Sequence, residues 1–309
     1  MDLAGMLRAN VGRYLDKEWD WHAFPANEGY PELERAQMRY IGSGGSPKDD
    51  ATALPAGAFS CSLIFQEPGR KASVHHHKIE ELFFVHAGRL TMTWQFGDET
   101  IDFVCGPGDA VLNPPSRPHG FRNDGPEDCV LQIMVATAGP MLPTYTDHPA
   151  DHPINPLHPA PPSKHAVYLA EIERYVARAA DVARREEAVD GGVFVVRPYV
   201  ADRKYGGRVA PTHFCFTVNA LTRGAQTPAY VRATEEVFMV LDGVLDVELL
   251  DDSGSAIQRL GPRDLVRVPA GVLRRLRNRD AASTRFATMV GDPAAAPTGW
   301  RSPLAATLA

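Results

Sequence analysis

Two stretches of this chain carry one skeleton at a constant spacing of 155 residues, and that repetition constrains the fold more than any other feature. The first reads Gly69-x5-His75-x-His77-x3-Glu81-x6-Gly88, followed by Gly108-x5-Pro114-x4-His119-x3-Asn123. The same offset reaches Gly224, Tyr230, Arg232, Glu236 and Gly243, then Arg263, Pro269, Arg274 and Asn278. Further pairs at this spacing are Glu80/Glu235, Phe83/Phe238, Val85/Val240, Asp109/Asp264, Val111/Val266 and Met134/Met289. A shared offset with no insertion from Gly69 to Met134 marks an internal duplication. One copy keeps a set of metal-ligand side chains and the other has lost it.

A chain of 309 residues is long enough for two domains that each bury a core. The formal net charge of -6 argues against a nucleic-acid partner, because nothing supplies the general attraction to phosphate. The basic run Arg274, Arg275 and Arg277 is short and is followed by Asp280. Cys61, Cys105, Cys129 and Cys215 form no CxxC pair, so they read as buried thiols of a reducing compartment. The first twenty residues hold no apolar h-region, and no run of eighteen apolar residues follows. A cytoplasmic protein without membrane insertion is the expectation.

Residues 1–50 read as a helical extension and arm, with Leu3, Met6, Leu7, Val11 and Leu15 spaced for an amphipathic helix over 2–19. Residues 51–138 change to short apolar runs (SCSLIF, ELFFV, RLTMTWQF, AVLN, VLQIMV) broken by glycine and proline turns, which predicts antiparallel strands. Residues 139–165 are rich in proline, from Pro140 to Pro162, and read as an extended linker. The linker histidines His148, His152 and His158 read as solvated, since such a segment does not preorganise ligands. Residues 166–190 predict a linker helix, with Leu169, Ile172, Tyr175, Val176, Ala179 and Val182 on one face. The second strand-rich block spans 191–300.

On a strand, side chains at i and i+2 share a face, so His75 and His77 converge while His76 points away. His86 likewise falls on the face opposite Glu81. Three imidazoles and one carboxylate suit a borderline divalent metal: Fe, Mn, Ni, Co or Zn. An incomplete shell leaves positions for water, dioxygen or a chelating substrate. With both motifs in place, the first repeat resembles the cupin superfamily, with His75, His77, Glu81 and His119 at the positions of the cupin metal ligands. Ser116 departs from the glycine usual in the second motif, which affects a turn and not a ligand. The resemblance covers most of both halves and implies an all-β bicupin: two tandem jelly-roll β-barrels with short flanking helices, and one metal per chain in the first.

In the second repeat Tyr230, Arg232 and Arg274 replace the histidines while Glu236 stays. Guanidinium groups do not ligate a cation, so this cluster reads as a plug, with an anion pocket as the alternative. Facing the first site, Phe83, Val85, Phe121 and either Gln132 or Met134 are the expected pocket lining. The resemblance leaves the activity open among dioxygenases, decarboxylases, isomerases, cyclases and binding proteins. The chain departs from oxalate decarboxylase-like proteins, which keep ligands in both barrels, and from gentisate dioxygenase-like sequences, whose first motif lacks the glutamate. An apolar pocket beside a redox-capable metal favours an iron(II) dioxygenase that cleaves a phenolic or enolic chelate with O2. No catalytic residue beyond the metal ligands is required. The alternatives are a metal-dependent isomerase or cyclase without O2, and a non-catalytic small-molecule-binding, pirin-like regulator. A homo-oligomer is expected from exposed barrel edges and from the N-terminal helix packing across a partner.

Overall fold

A computed structural model describes residues 2–44, 46–48, 50–137, 139, 141–150, 156–280 and 282–301. The chain divides into two compact units: Glu18–Asp181, and Met1–Lys17 together with Val182 onward. Each is built from β-sheets of the jelly-roll kind, as the alternating apolar runs require.

In the first unit one sheet has the strand order Val176–Ala177, Ala110–Asn113, Glu81–Ala87, Cys129–Val135, Ser60–Gln66, Ala36–Ile41. The other runs Thr144–Tyr145, Lys71–His76, His119–Arg122, Leu90–Phe96, Glu99–Cys105, His158–Pro159. Their facing sides bury Phe83, Val85, Leu90, Met92, Trp94, Val111, Phe121 and Leu131 in one core. Burial of each large side chain contributes roughly 2–3 kcal/mol. Trp94 is fully buried and still satisfies its indole N–H, which donates to Asn113 Oδ1 at 3.0 Å.

In the second unit a seven-stranded sheet is joined by a three-stranded one, Gly254–Leu260, Leu245–Asp251, Leu273–Arg277. The duplication is visible in the hydrogen bonding. Glu81 pairs with Val135 and Asn113, and Glu236 pairs with Val290 and Val268, the same positions shifted by the repeat. Asn123 Nδ2 donates to Gln66 O at 3.0 Å, and Asn278 Nδ2 donates to Leu221 O at 2.9 Å. These buried amides close the same turn in both copies, because each must find acceptors away from water.

The flanking segments differ from their sequence reading. The first helix is only Leu3–Arg8, because Val11–Gly12 leaves it to pair with Val266 and Leu265. Leu7 is buried in the core of the second unit, whereas Leu15 is 92% exposed. The second helix is Pro162–Ile172 and stops where Val176–Ala177 pairs with Val111 and Ala110. Arg185–Val189 is a strand. In both cases an open sheet edge takes the chain, which outweighs a modest helical preference. The two edge strands are themselves equivalent, since Val111 and Val266 are repeat mates. Residues 1–17 therefore complete the second unit, and 162–181 the first.

The proline-rich stretch is not a solvated linker throughout. Thr144–Tyr145 pairs with His76 and His75, and His148 is buried against the rings of Tyr30 and Tyr145. His158 is exposed and pairs with Glu99. Pro140, Pro153 and His152 lie outside the described residues.

Gly88 has φ +77°, and a Cβ there would sit 2.4 Å from Asp128 O. Gly69 has a similar φ of +79° but open space around it. Gly69→Ala is expected to cost about 1 kcal/mol, for the left-handed backbone alone, and Gly88→Ala about 3 kcal/mol or more. Urea denaturation midpoints of the two variants check this; equal losses would refute the steric account.

Candidate metal centre

The centre forms where two strands of one sheet and the start of a strand in the other bring their side chains together. His75 lies on Lys71–His76, His119 opens His119–Arg122, and Glu81 opens Glu81–Ala87. The pairing of the first two strands is irregular: Ala72 faces Phe121, and His75 faces His119. Three steps on one strand match two on the other, a bulge that sets the two imidazoles opposite each other. Their ring centroids are 4.8 Å apart, and those of His75 and His77 are 5.4 Å apart. Ser116 has φ 62° in the turn before His119, and its N–H donates to His77 O at 2.7 Å. The turn does take the left-handed backbone that glycine usually supplies there.

All four side chains are buried, at 6% exposure or less. The ligand atoms of His75, His77 and Glu81 lie within 4.8 Å of one another, and His119 Nε2 lies 2.9 Å from Glu81 Oε2. His75 Nδ1 donates to Ser73 O at 2.7 Å and His119 Nδ1 to Arg117 O at 2.8 Å. These bonds fix the tautomers and leave the Nε2 lone pairs aimed inward, the usual support for metal-binding imidazoles. His119 then faces acceptors on both nitrogens, and a neutral imidazole has one proton to give. A cation held between Nε2 and Glu81 resolves that conflict, so the donor set fits a divalent metal.

Electrostatics agree. Burial holds His75 well below its ordinary value, helped by His119, and burial also lowers His77. Burial opposes the charge on Glu81, but His77, the His119 hydrogen bond and His75 bring it down to about 2. Neutral His75 and His77 beside an ionised carboxylate are the protonation states that a divalent cation requires.

The centre opens onto a cavity of about 40 Å³ lined by His75, His77, Glu81, Phe121, Ile133 and Val135, among others. Of the residues expected to line it, Phe121 does. Phe83 and Val85 face the same interior but lie deeper: Phe83 packs on His119 and Phe121, and both belong to the barrel core. Gln132 and Met134 do not line it; Ile133 and Val135 do. The pairing of Cys129–Val135 with its neighbours turns the even positions away, where Gln132 Oε1 meets His86 Nε2 at 3.3 Å. His76 pairs with Thr144 and stays outside the ligand set.

Arg35 and Gln37 also line the cavity; Gln37 lies on the edge strand Ala36–Ile41 of the first sheet, and Arg35 directly precedes it. Their signal is readable afterwards: Arg35, Gln37 and Arg39 alternate with the buried Ala36, Met38 and Tyr40, as a strand with one polar inner face would.

In the second unit Glu236 takes a bond on each oxygen from groups that replace the histidines. Tyr230 Oη donates at 3.0 Å, Arg232 Nε at 2.6 Å and Arg274 Nη1 at 3.1 Å. Arg274 spends its other donors on Val272 O and Pro269 O. Burial raises Tyr230 well above its ordinary value, so it remains a neutral donor. The cluster satisfies itself, as a structural plug does.

Residues 63–136 match the family model described as Cupin domain. No curated protein matches the chain. Among solved structures, a variant of oxalate decarboxylase from B. subtilis has TM-score 0.63 at 12% identity, covering 94% of this chain and 79% of that one. The oxalate decarboxylase–formate complex of Lactobacillus farciminis has TM-score 0.62 at 11% identity, over 93% and 87%. Vicilin from Corylus avellana has TM-score 0.61 at 12% identity, over 92% and 86%. The chain is thus a bicupin in fold. Its first unit holds a histidine–glutamate cluster that fits a metal, and its second has an ion cluster in the equivalent place.

His77→Ala and His119→Ala are expected to lose bound metal, and Glu81→Ala to lose part of it. Arg274→Ala should leave metal content unchanged while costing about 3–5 kcal/mol, because Glu236 keeps a buried charge with less compensation. Elemental analysis per chain, with thermal unfolding, measures both. Equal metal loss in Arg274→Ala would refute the division of labour between the units.

Proposed function

We propose that the chain is a mononuclear metal-dependent enzyme, a non-haem iron(II) dioxygenase that cleaves a small phenolic or enolic molecule. The observation that carries this reading is the convergence of three imidazoles and Glu81 beside a small cavity whose wall includes the apolar side chains Ile64, Phe121, Ile133 and Val135. Iron(II) held there supplies a Lewis acid for a two-oxygen chelate and a partner for dioxygen. Ile64, Phe121, Ile133 and Val135 exclude water from the reacting atoms. Ser73 O and Arg117 O keep His75 and His119 in fixed orientation. Both atoms of O2 enter the product, so no external reductant is consumed.

Manganese is the alternative metal, since Mn(II) centres are named for B. subtilis oxalate decarboxylase. With a redox-inert metal, isomerisation or cyclisation is the second reading; the vicilin likeness keeps a non-catalytic role as the third.

The remaining assignments are also proposals. Four free, buried cysteines suit a reducing cytoplasm, and no helix among the described residues is long and apolar enough to cross a membrane. Homo-oligomerisation through sheet edges is expected, without the N-terminal helix, which packs within its own unit. A monomer by light scattering would remove it.

The deciding measurement is metal identity followed by oxygen uptake. About one equivalent of iron per chain and O2 consumption with phenols or diketones is the expected result. Zinc or nickel at full occupancy, with turnover that ignores O2, would overturn the dioxygenase in favour of the isomerase reading.

A further inference from the structure

The segment before the strand Ala36–Ile41 contributes more to the cavity than a wall. Arg39, Arg232 and Arg274 are buried, and each has a carboxylate partner: Asp20 for the first, Glu236 for the other two. Arg35, 6% exposed, is the remaining buried arginine among the described residues, and none of their carboxylates lies within ion-pairing distance of it. Its Nη1 donates to Leu33 O at 3.3 Å, and its guanidinium lies 4.1 Å from the centre of the Phe24 ring. Its side-chain partner is the Tyr145 hydroxyl, and the nearest acting negative charge, Glu81, lies beyond ion-pairing distance, so this buried guanidinium has room to gain from a closer anion. With a divalent cation beside Glu81, the cavity holds one carboxylate against three positive charges, which increases that gain.

Two groups line the cavity without a partner: Ser60 Oγ and Gln37 Oε1, both buried. The hydroxyl is a donor to an anion and the amide oxygen an acceptor for a substrate O–H. Buried polar atoms left open at one place mark a polar ligand.

Size settles where the rest of the ligand goes. About 40 Å³ accommodates only the polar end of a substrate. Phe24 and Arg35 also line a second chamber, of about 540 Å³, with Trp21, His22, Asn27 and Glu34. The pair therefore stands between the metal cavity and a space within the usual range of ligand sites. Trp21 and Phe24 offer flat apolar surface there, while Glu28 and Glu34 at the exposed rim disfavour a second negative charge. All these residues precede the matched Cupin domain, which begins at residue 63.

We propose that Arg35 anchors a substrate carboxylate beside the metal and that the Trp21–Arg35 segment holds a flat, uncharged body in the outer chamber. The substrate class is then a small aromatic or unsaturated monocarboxylate. This deepens the enzyme reading above and rests on it for the word substrate, but the anchor itself is a binding claim.

Calorimetry on the metal-containing protein with benzoate and its neutral isostere benzamide tests it. Wild type should prefer benzoate at least tenfold; Arg35→Gln should abolish the preference and Arg35→Lys retain part of it, with metal content equal in all three. Equal affinity of wild type for acid and amide, no benzoate binding at millimolar concentration, or a preference intact in Arg35→Gln would each overturn the anchor. The wild-type comparison stands even if a variant misfolds. A lost preference in Arg35→Gln with no oxygen uptake by any carboxylate would uphold the anchor and sink the dioxygenase. Oxygen uptake with neutral phenols, undiminished in Arg35→Gln, would do the reverse.

Discussion

A buried carboxylate stands at the same register position in both barrels, and the need to compensate it organises each half. Glu81 and Glu236 open equivalent strands and are each at most 4% exposed. Neither can remain ionised in such surroundings without positive charge close by. The first unit meets the need with imidazoles that leave room for a cation. The second meets it with two guanidinium groups and a phenol that need no metal. One scaffold thus gives a cluster suited to a metal or one that satisfies itself, according to three side chains.

Around Glu81, geometry comes from backbone features more than from the ligands. The bulge between Ala72 and His75 sets His75 across from His119, and the left-handed Ser116 turns the chain into the second strand. Backbone carbonyls of Ser73 and Arg117 then decide which imidazole nitrogen is free. Substitution of these backbone-determining residues therefore acts on the metal through orientation, in the manner of outer-shell partners elsewhere. The segment from Trp21 to Arg35 adds a different kind of feature, because Phe24 and Arg35 line both the cavity at the centre and the larger one beside it.

Much of this was legible in the chain because two periodicities survive in it. The 155-residue offset exposed the duplication, and period-two alternation put His75, His77 and Phe121 on one face. Both rest on local geometry that every strand shares. The same rule gave no means to choose between odd and even positions on Cys129–Val135, where pairing with both neighbours turns Ile133 and Val135 to the cavity. The flanking helices were overread for a related reason: apolar spacing of three and four also suits a turn followed by a short edge strand. His148 was misread as solvated, since its burial depends on Tyr30 and Tyr145, far apart in the chain.

What the sequence determined alone was the repeat, the strand-rich class and which histidines meet around Glu81, because each is encoded in residue type and spacing along one stretch. Only tertiary structure decided that residues 1–17 complete the second unit and 162–181 the first, since open sheet edges are filled by whatever chain reaches them. It alone also placed Arg35 and Phe24 between two cavities. An arginine in a sequence is presumed solvated, and its burial without a carboxylate emerges only when distant strands close around it.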